Sequence, residues 1–206
     1  MIDFKLKEIV ITDSVQKAVE KYNVPGGWTE NDEAIVSFKA EIKQKLLLNQ
    51  RGKCAYCGLP LANRNPEIDH IAPKGGKIRA YHPECTFLPI NLVYACHHCN
   101  SPMCKGQSDT VESKNKSADY REWSFKLVHP YLDDPAEYFQ FDASGCIMSL
   151  PNRNADERKR RKAQFTIDMF GLNTEPVLME LAKQVFFERH PASIQAIITE
   201  ISTYRP

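Results

Sequence analysis

Apolar residues recur at helical spacing near both ends of this chain and at strand spacing in its middle. Ile9, Val10 and Ile11 predict a short strand. Asp13 or Ser14 then caps a short helix with Val15, Ala18, Val19 and Tyr22 on one face, which VPGGW breaks. Thr29 followed by Asp32 predicts a capping box for a long amphipathic helix, striped by Ile35, Phe38, Ile42 and Leu46 up to Gly52. EIDHI and NLVYAC read as two strands separated by a long loop marked by APKGG and YHPEC, and a short helix begins near His97. KLVHPYLDDP reads as loop, and YFQFD and CIMSL as a hairpin turning at ASG.

The carboxyl end predicts three helices. Asn154 caps the first, from Ala155 to Phe170, which Gly171 ends; Thr174 with Pro176 starts the second, with Val177, Leu178, Leu181, Val185 and Phe186 on one face; Ile194, Ile197, Ile198 and Ile201 stripe the third. These stripes exceed what a small core buries. The long early helix is expected to pack on this bundle, leaving one face for a partner.

Composition narrows the class. At 206 residues, 42% hydrophobic and 26% charged, the chain reads as a soluble globular protein of one domain or slightly more. The amino terminus has no secretory pattern and no apolar run is long enough to cross a bilayer, so a cytoplasmic protein without membrane contact is expected. A formal charge of +1 gives no bulk argument for nucleic acid. By segment, however, residues 51–118 carry +4, flanked by −1 before them, −4 over 119–150 and +2 at the end. The same basic stretch holds six of the seven cysteines and four of the six histidines.

In a reducing compartment two Cys-x-x-Cys pairs argue for metal before disulfides. Cys54 and Cys57 with Cys96 and Cys99 complete a tetrahedral four-thiolate zinc site, closed and therefore structural. The 38 residues between the pairs are too many for a compact ribbon and imply a functional insert. Inside it, adjacent Asp69 and His70 at a strand end offer a hard oxygen ligand and an imidazole that takes a proton near neutral pH. Asn91 opens the second strand, and Asn100 follows the last zinc cysteine, held rigidly by the knuckle. His97 or His98 could replace a cysteine, but helix capping and solvent contact explain them as well. His82, Glu84 and Cys85 could shape a rim, though loop polarity is the simpler account. The run from Arg158 to Lys162 could touch a DNA backbone, but a solvated helix face is commoner. Cys85, Cys104 and Cys146 have no assignable partner.

In CAYCG at 54–58, EIDHIAPKGG at 67–76, NLVYACHHCN at 91–100 and the later Lys105, the chain resembles the HNH, or ββα-metal, endonuclease family. The resemblance implies an α+β fold: a ββα-metal core over 53–118 supported by the zinc knuckle, a helical region over 1–52, and a hairpin plus helices over 119–206. It implies His70 as general base, Asp69 and Asn100 as ligands of a catalytic Mg2+ or Mn2+, Asn91 as the residue that orients the base, and Lys74 and Lys105 as nucleic-acid contacts. Lys105 comes later than the family's spacing, with Ser101, Pro102, Met103 and Cys104 intervening. The implied substrate is double-stranded DNA approached along its minor groove, without excluding RNA. The QRGK run before CAYCG, HPYLDDPAEYFQFDASG and the Arg-rich helix before MFGLN further resemble HNH subunits of anti-phage systems of the Septu PtuB and retron-associated kind. That likeness implies an ATPase partner. The rival reading is a zinc-knuckle binding module without catalysis, in which Asp69 and His70 are ordinary strand residues.

Overall fold

The computed structural model describes residues 5–75, 81–114, 119–141, 148–149 and 156–203. Its elements are mixed helix and small sheet, an α+β fold, and no helix among the described residues is long and apolar enough to cross a membrane.

Residues 9–11 form no strand. Ile11 is buried and Val10 exposed, but the extended backbone here runs along the first long helix and bonds its side chains instead of a ladder: Lys45 Nζ donates to Val10 O, Asn49 Nδ2 to Lys7 O, and Thr12 N–H to Glu41. Helix α1 (Asp13–Val19) begins after Thr12, one residue before the expected caps, and tightens into a 3-10 turn at Glu20–Tyr22. Gly27 follows in a tight turn; a Cβ there would stand 1.9 Å from the Tyr22 carbonyl oxygen, so only glycine lets the chain pass and present Trp28.

Helix α2 (Glu33–Asn49) is capped by Asp32, whose Oδ1 accepts the Ala34 N–H at 2.8 Å. The Thr29 capping box does not form, because Thr29 belongs to the separate 3-10 turn Gly27–Thr29 and gives its hydroxyl to Gly26 O. The stripe Ile35, Phe38, Ile42 and Leu46 is fully buried. Helix α1, strand β2 (Leu92–Ala95) and Phe87, edge-on to Phe38 at 5.2 Å, fill this face in place of the carboxyl-terminal helices that the stripe alone suggests.

Strand β1 (Glu67–His70) pairs antiparallel with β2, with Asp69 opposite Val93 and His70 opposite Leu92. Chain order then gives the single-turn helix α3 (His97–Asn100). Just past α2, the side chain of fully buried Gln50 works like a peptide group: Oε1 accepts Tyr94 N–H at 2.7 Å, and Nε2 donates to the Tyr94 and Lys53 carbonyls at 2.8 Å. A second antiparallel pair, β3 (Val111–Ser113) with β4 (Ser124–Phe125), had no periodic signal, since each strand is only two or three residues long. The expected hairpin appears as β5 (Gln140–Phe141) with β6 (Met148–Ser149); its ASG turn and Cys146 lie outside the described residues.

Helix α4 (Glu157–Phe170) is capped by Asp156 and ended by Gly171 at φ 59°; the expected cap Asn154 and first residue Ala155 lie outside the described residues. Phe170 stacks on Tyr56 at 4.2 Å, which seats α4 on the first cysteine knuckle. Helices α5 (Glu175–Arg189) and α6 (Pro191–Thr203) follow, and Phe186, Phe187, Ile197, Ile198 and Ile201 are exposed.

Candidate active site

The four cysteines meet. Their sulfurs all lie within 4.8 Å of one another, and Cys57 and Cys96 are 3.9 Å apart. Zinc–sulfur bonds of about 2.3 Å in a tetrahedron need sulfurs about 3.8 Å apart, so the cluster has the dimensions of a zinc site with slight closure. Gly58 N–H returns to Cys54 O and closes the knuckle turn, and Cys96 N–H points at Cys54 Sγ at 3.4 Å, a contact that suits a thiolate. Burial pushes the Cys54 thiol well above its ordinary range, so a buried set of thiolates needs a dication to ionise. His97 and His98 are exposed and stand outside the cluster.

The knuckles bracket the insert. Ala55 N–H donates to Tyr94 O and Asn100 N–H to Cys96 O, which couples the cluster to β2 and α3. Beside it opens a cleft of about 490 Å3, lined by Asp69, His70, Lys74, Asn100 and Lys105 among others. Five of the six catalytic and nucleic-acid residues expected from sequence thus line one cleft. Asn91 lies behind them.

Neighbouring residues of a strand project to opposite faces. Asp69 turns to Tyr56, whose hydroxyl donates to Oδ2 at 2.5 Å, and to Lys105, whose ammonium is 3.1 Å from Oδ1. His70 turns to Trp28, edge-on at 4.7 Å, and to the Thr86 carbonyl, 3.0 Å from Nε2. A carbonyl only accepts, so Nε2 carries the proton and Nδ1 keeps its lone pair. Burial, with the charges of Lys74 and Lys105, holds the His70 pKa well below its usual value and keeps the ring neutral.

Asn91 does not touch that ring; it braces the two segments around it. Its backbone carbonyl accepts Ile71 N–H, Oδ1 accepts Ala72 N–H at 2.7 Å, and Nδ2 donates to Ala72 O and Cys85 O. Tyr120 donates to the same Oδ1 at 2.7 Å, and Tyr120 lies 3.1 Å from His129 Nε2. His129 Nδ1 accepts the Tyr131 and Leu132 N–H groups, so its proton is on Nε2 and points to Tyr120. Burial lowers His129 to about 3 and keeps it neutral. The bonds run one way, from His129 through Tyr120 to Asn91 and the carbonyl next to Thr86.

Lys105, expected as a nucleic-acid contact, is 1% exposed and divides its ammonium between Asp69 and the His70 carbonyl, 2.7 Å away. Lys74 is half-buried on the cleft wall, and burial lowers its pKa. Asn100 Nδ2 donates to Glu67 at 2.5 Å, leaving Oδ1 as its ligand atom. Hard oxygens from Asp69 and Asn100, with Glu67 alongside, suit a magnesium-type ion, provided that Asp69 Oδ1 is shared with or released by Lys105. His82 is buried against Asp109 at 3.0 Å, while Glu84 is exposed and pairs with Lys114, and neither lines the cleft. Arg158, Lys159, Arg160 and Lys162 all have partners within the chain, as a structural helix face would.

No protein-family model matches the chain. Among curated proteins it is 25% identical over 147 residues to a retron Vc95 protein of Vibrio cholerae serotype O1 biovar El Tor named as an HNH endonuclease, covering 71% of this chain and 64% of that one. It is 38% identical over 105 residues to the CRISPR-associated endonuclease Cas9 of Corynebacterium diphtheriae, covering 50% of this chain and 8% of that one. The Septu proteins PtuA and PtuB of Bacillus mycoides are each 26% identical, over 151 and 160 residues, covering 66% and 71% of this chain and 20% and 52% of theirs. The chain therefore spans less than two thirds of each of these relatives. At modest identity, it is similar to HNH nucleases of defence systems.

Proposed function

We propose that the chain is a metal-dependent HNH endonuclease that hydrolyses DNA phosphodiester bonds, as the nuclease subunit of an anti-phage defence system with an ATPase partner. In this reading β1, β2 and α3 form a ββα-metal core, and zinc at the four cysteines clamps it. The observation that carries the proposal is the His70 tautomer: Nε2–H is committed to Thr86 O, which leaves the lone pair of a neutral ring on Nδ1, and His70 lines the cleft beside a carboxylate. His70 Nδ1 takes the proton of the attacking water. Thr86 O holds the ring in that tautomer, and Asn91 fixes the backbone on both sides. Asp69 and Asn100 would hold a Mg2+ or Mn2+ ion, which supplies charge stabilisation at the phosphate when bound. Lys74 faces the phosphate from the cleft wall. The exposed apolar residues of α5 and α6, together with the Septu likeness, support docking of the ATPase.

Plasmid cleavage with Mg2+ or Mn2+ tests the reading. His70→Ala should lose at least about 10²-fold in rate with zinc content and thermal stability nearly unchanged. Cleavage within about tenfold of the unaltered protein would reject His70 as the base and favour the zinc-knuckle binding module.

A further inference from the structure

A second groove, of about 400 Å3, adjoins the cleft and meets it at Ile68 and Asn100, which line both. Its far wall is Trp28 with Lys39 and Lys43 of α2. One turn separates the two lysines, so both ammonium groups lie on the same side of the helix. Lys39 is set in place: its ammonium donates to Trp28 O at 2.7 Å and sits 4.6 Å from the centre of the Trp28 ring. The same ring touches the base His70 edge-on, so Lys39 and His70 share one wall.

The charges here do not cancel. Asp69 is matched by Lys105, which leaves Glu67 as the acidic group against Lys39, Lys43 and Lys74. Lys39 and Lys43 form no ion pair among the described residues, whereas the lysines and arginines of α4 named above do. Burial lowers the Lys39 pKa, and the Lys39 charge reaches Lys74 and His70 across the cleft. Like charges gathered around a continuous trough favour an extended anion.

We infer that the Trp28–Lys39–Lys43 groove is a phosphate-binding subsite for the nucleic-acid strand, holding its backbone on one side of the bond that is cut. It rests on the nuclease reading for which bond is cut, and adds a part of α2 to the substrate surface. Lysine suits the role: as a point charge it binds phosphate without selecting a base. Trp28 acts as the spacer that fixes Lys39 relative to His70.

Binding measured apart from cleavage tests this. In a His70→Ala background, anisotropy of a labelled DNA duplex is followed against salt for Lys39→Gln/Lys43→Gln and for the control Lys159→Gln/Lys183→Gln. The groove pair should weaken affinity at least about tenfold at low salt and lower the slope of log K against log salt by about 2, close to 0.9 per lost phosphate contact. The control should change neither. Lys43→Glu alone, at an exposed position, provides a variant that keeps the fold and should lose about one contact's slope. Unchanged affinity and slope in folded, zinc-loaded groove variants would overturn the subsite while leaving the nuclease standing. A His70→Ala protein that binds no duplex would overturn the nuclease reading and the subsite with it.

Discussion

Replacing Lys105 by Met removes a buried ammonium while keeping most of its aliphatic stem. Lys105 is 1% exposed, its partner Asp69 is 6% exposed, and the two are 3.1 Å apart. Taking one partner from such a pair costs about 3–5 kcal/mol, because the other charge stays buried without compensation. Asp69 retains the Tyr56 hydroxyl, which places the expected loss near the lower end, about 3 kcal/mol. In a protein of this size that corresponds to a fall in Tm of about 6–12 °C. Thermal and urea unfolding without added divalent ion read it directly. Adding Mn2+ should then stabilise Lys105→Met more than the unaltered protein, since the ion no longer competes for Asp69 Oδ1; at about 100 times Kd the gain is about 2.7 kcal/mol. A variant within about 0.5 kcal/mol of the original would show that the pair contributes little, as many exposed pairs do. An equal Mn2+ effect on both proteins would show that Asp69 is not where the ion goes.

Cys99→Ser should leave less than one zinc per chain and unfold the core by circular dichroism, because structural zinc contributes about 10–16 kcal/mol against a typical stability of 5–15; a folded, zinc-free variant would refute this. Tyr120→Phe deletes the hydroxyl between His129 and Asn91, leaves the His129 N–H unsatisfied, and should cost about 1–3 kcal/mol while slowing cleavage with zinc content unchanged. An unchanged rate would mean the His129–Tyr120 chain does not reach His70. The folded pKa values of His70 and His129 are depressed, so the unfolded chain binds more protons and stability falls as pH drops below about 6.5, by about 1.4 kcal/mol per pH unit for each group. For His129 the loss continues towards about 3. Urea midpoints that stay flat between about pH 6.5 and 5 would contradict it, and His129→Gln should halve the slope.

The sequence made legible whatever depends on residue type at fixed spacing. Cys54, Cys57, Cys96 and Cys99 converge as their two short spacings require, and the Ile35–Leu46 stripe is buried because its period matches the helix. EIDHI and NLVYAC pair as strands with Asp69 and His70 at the end of the first. What stayed hidden was set by partners distant in sequence. Ile9–Ile11 looks like a strand but finds helix side chains where a strand needs a ladder. Lys105 is expected as a nucleic-acid contact from the family resemblance, yet the chain folds it under Asp69. The group that hydrogen-bonds the His70 ring is the backbone carbonyl of Thr86, which any residue type supplies, so no letter marks it. Tyr120 and His129 sit outside the dense motif and are joined to Asn91 only in three dimensions.

Gln50 carries a consequence for how this protein can meet others. A two-stranded sheet ordinarily offers an outer rim to which a foreign strand adds. On β2 that rim is occupied: Gln50 takes both Tyr94 backbone groups, Ala55 N–H shares the Tyr94 carbonyl, and the Tyr131 hydroxyl takes the Leu92 carbonyl at 2.7 Å. One side chain at the end of α2 thus does the work of a third strand. Strand addition along the β2 rim is closed to a partner and to a second copy of the chain alike, so templated growth of the sheet on that side is blocked.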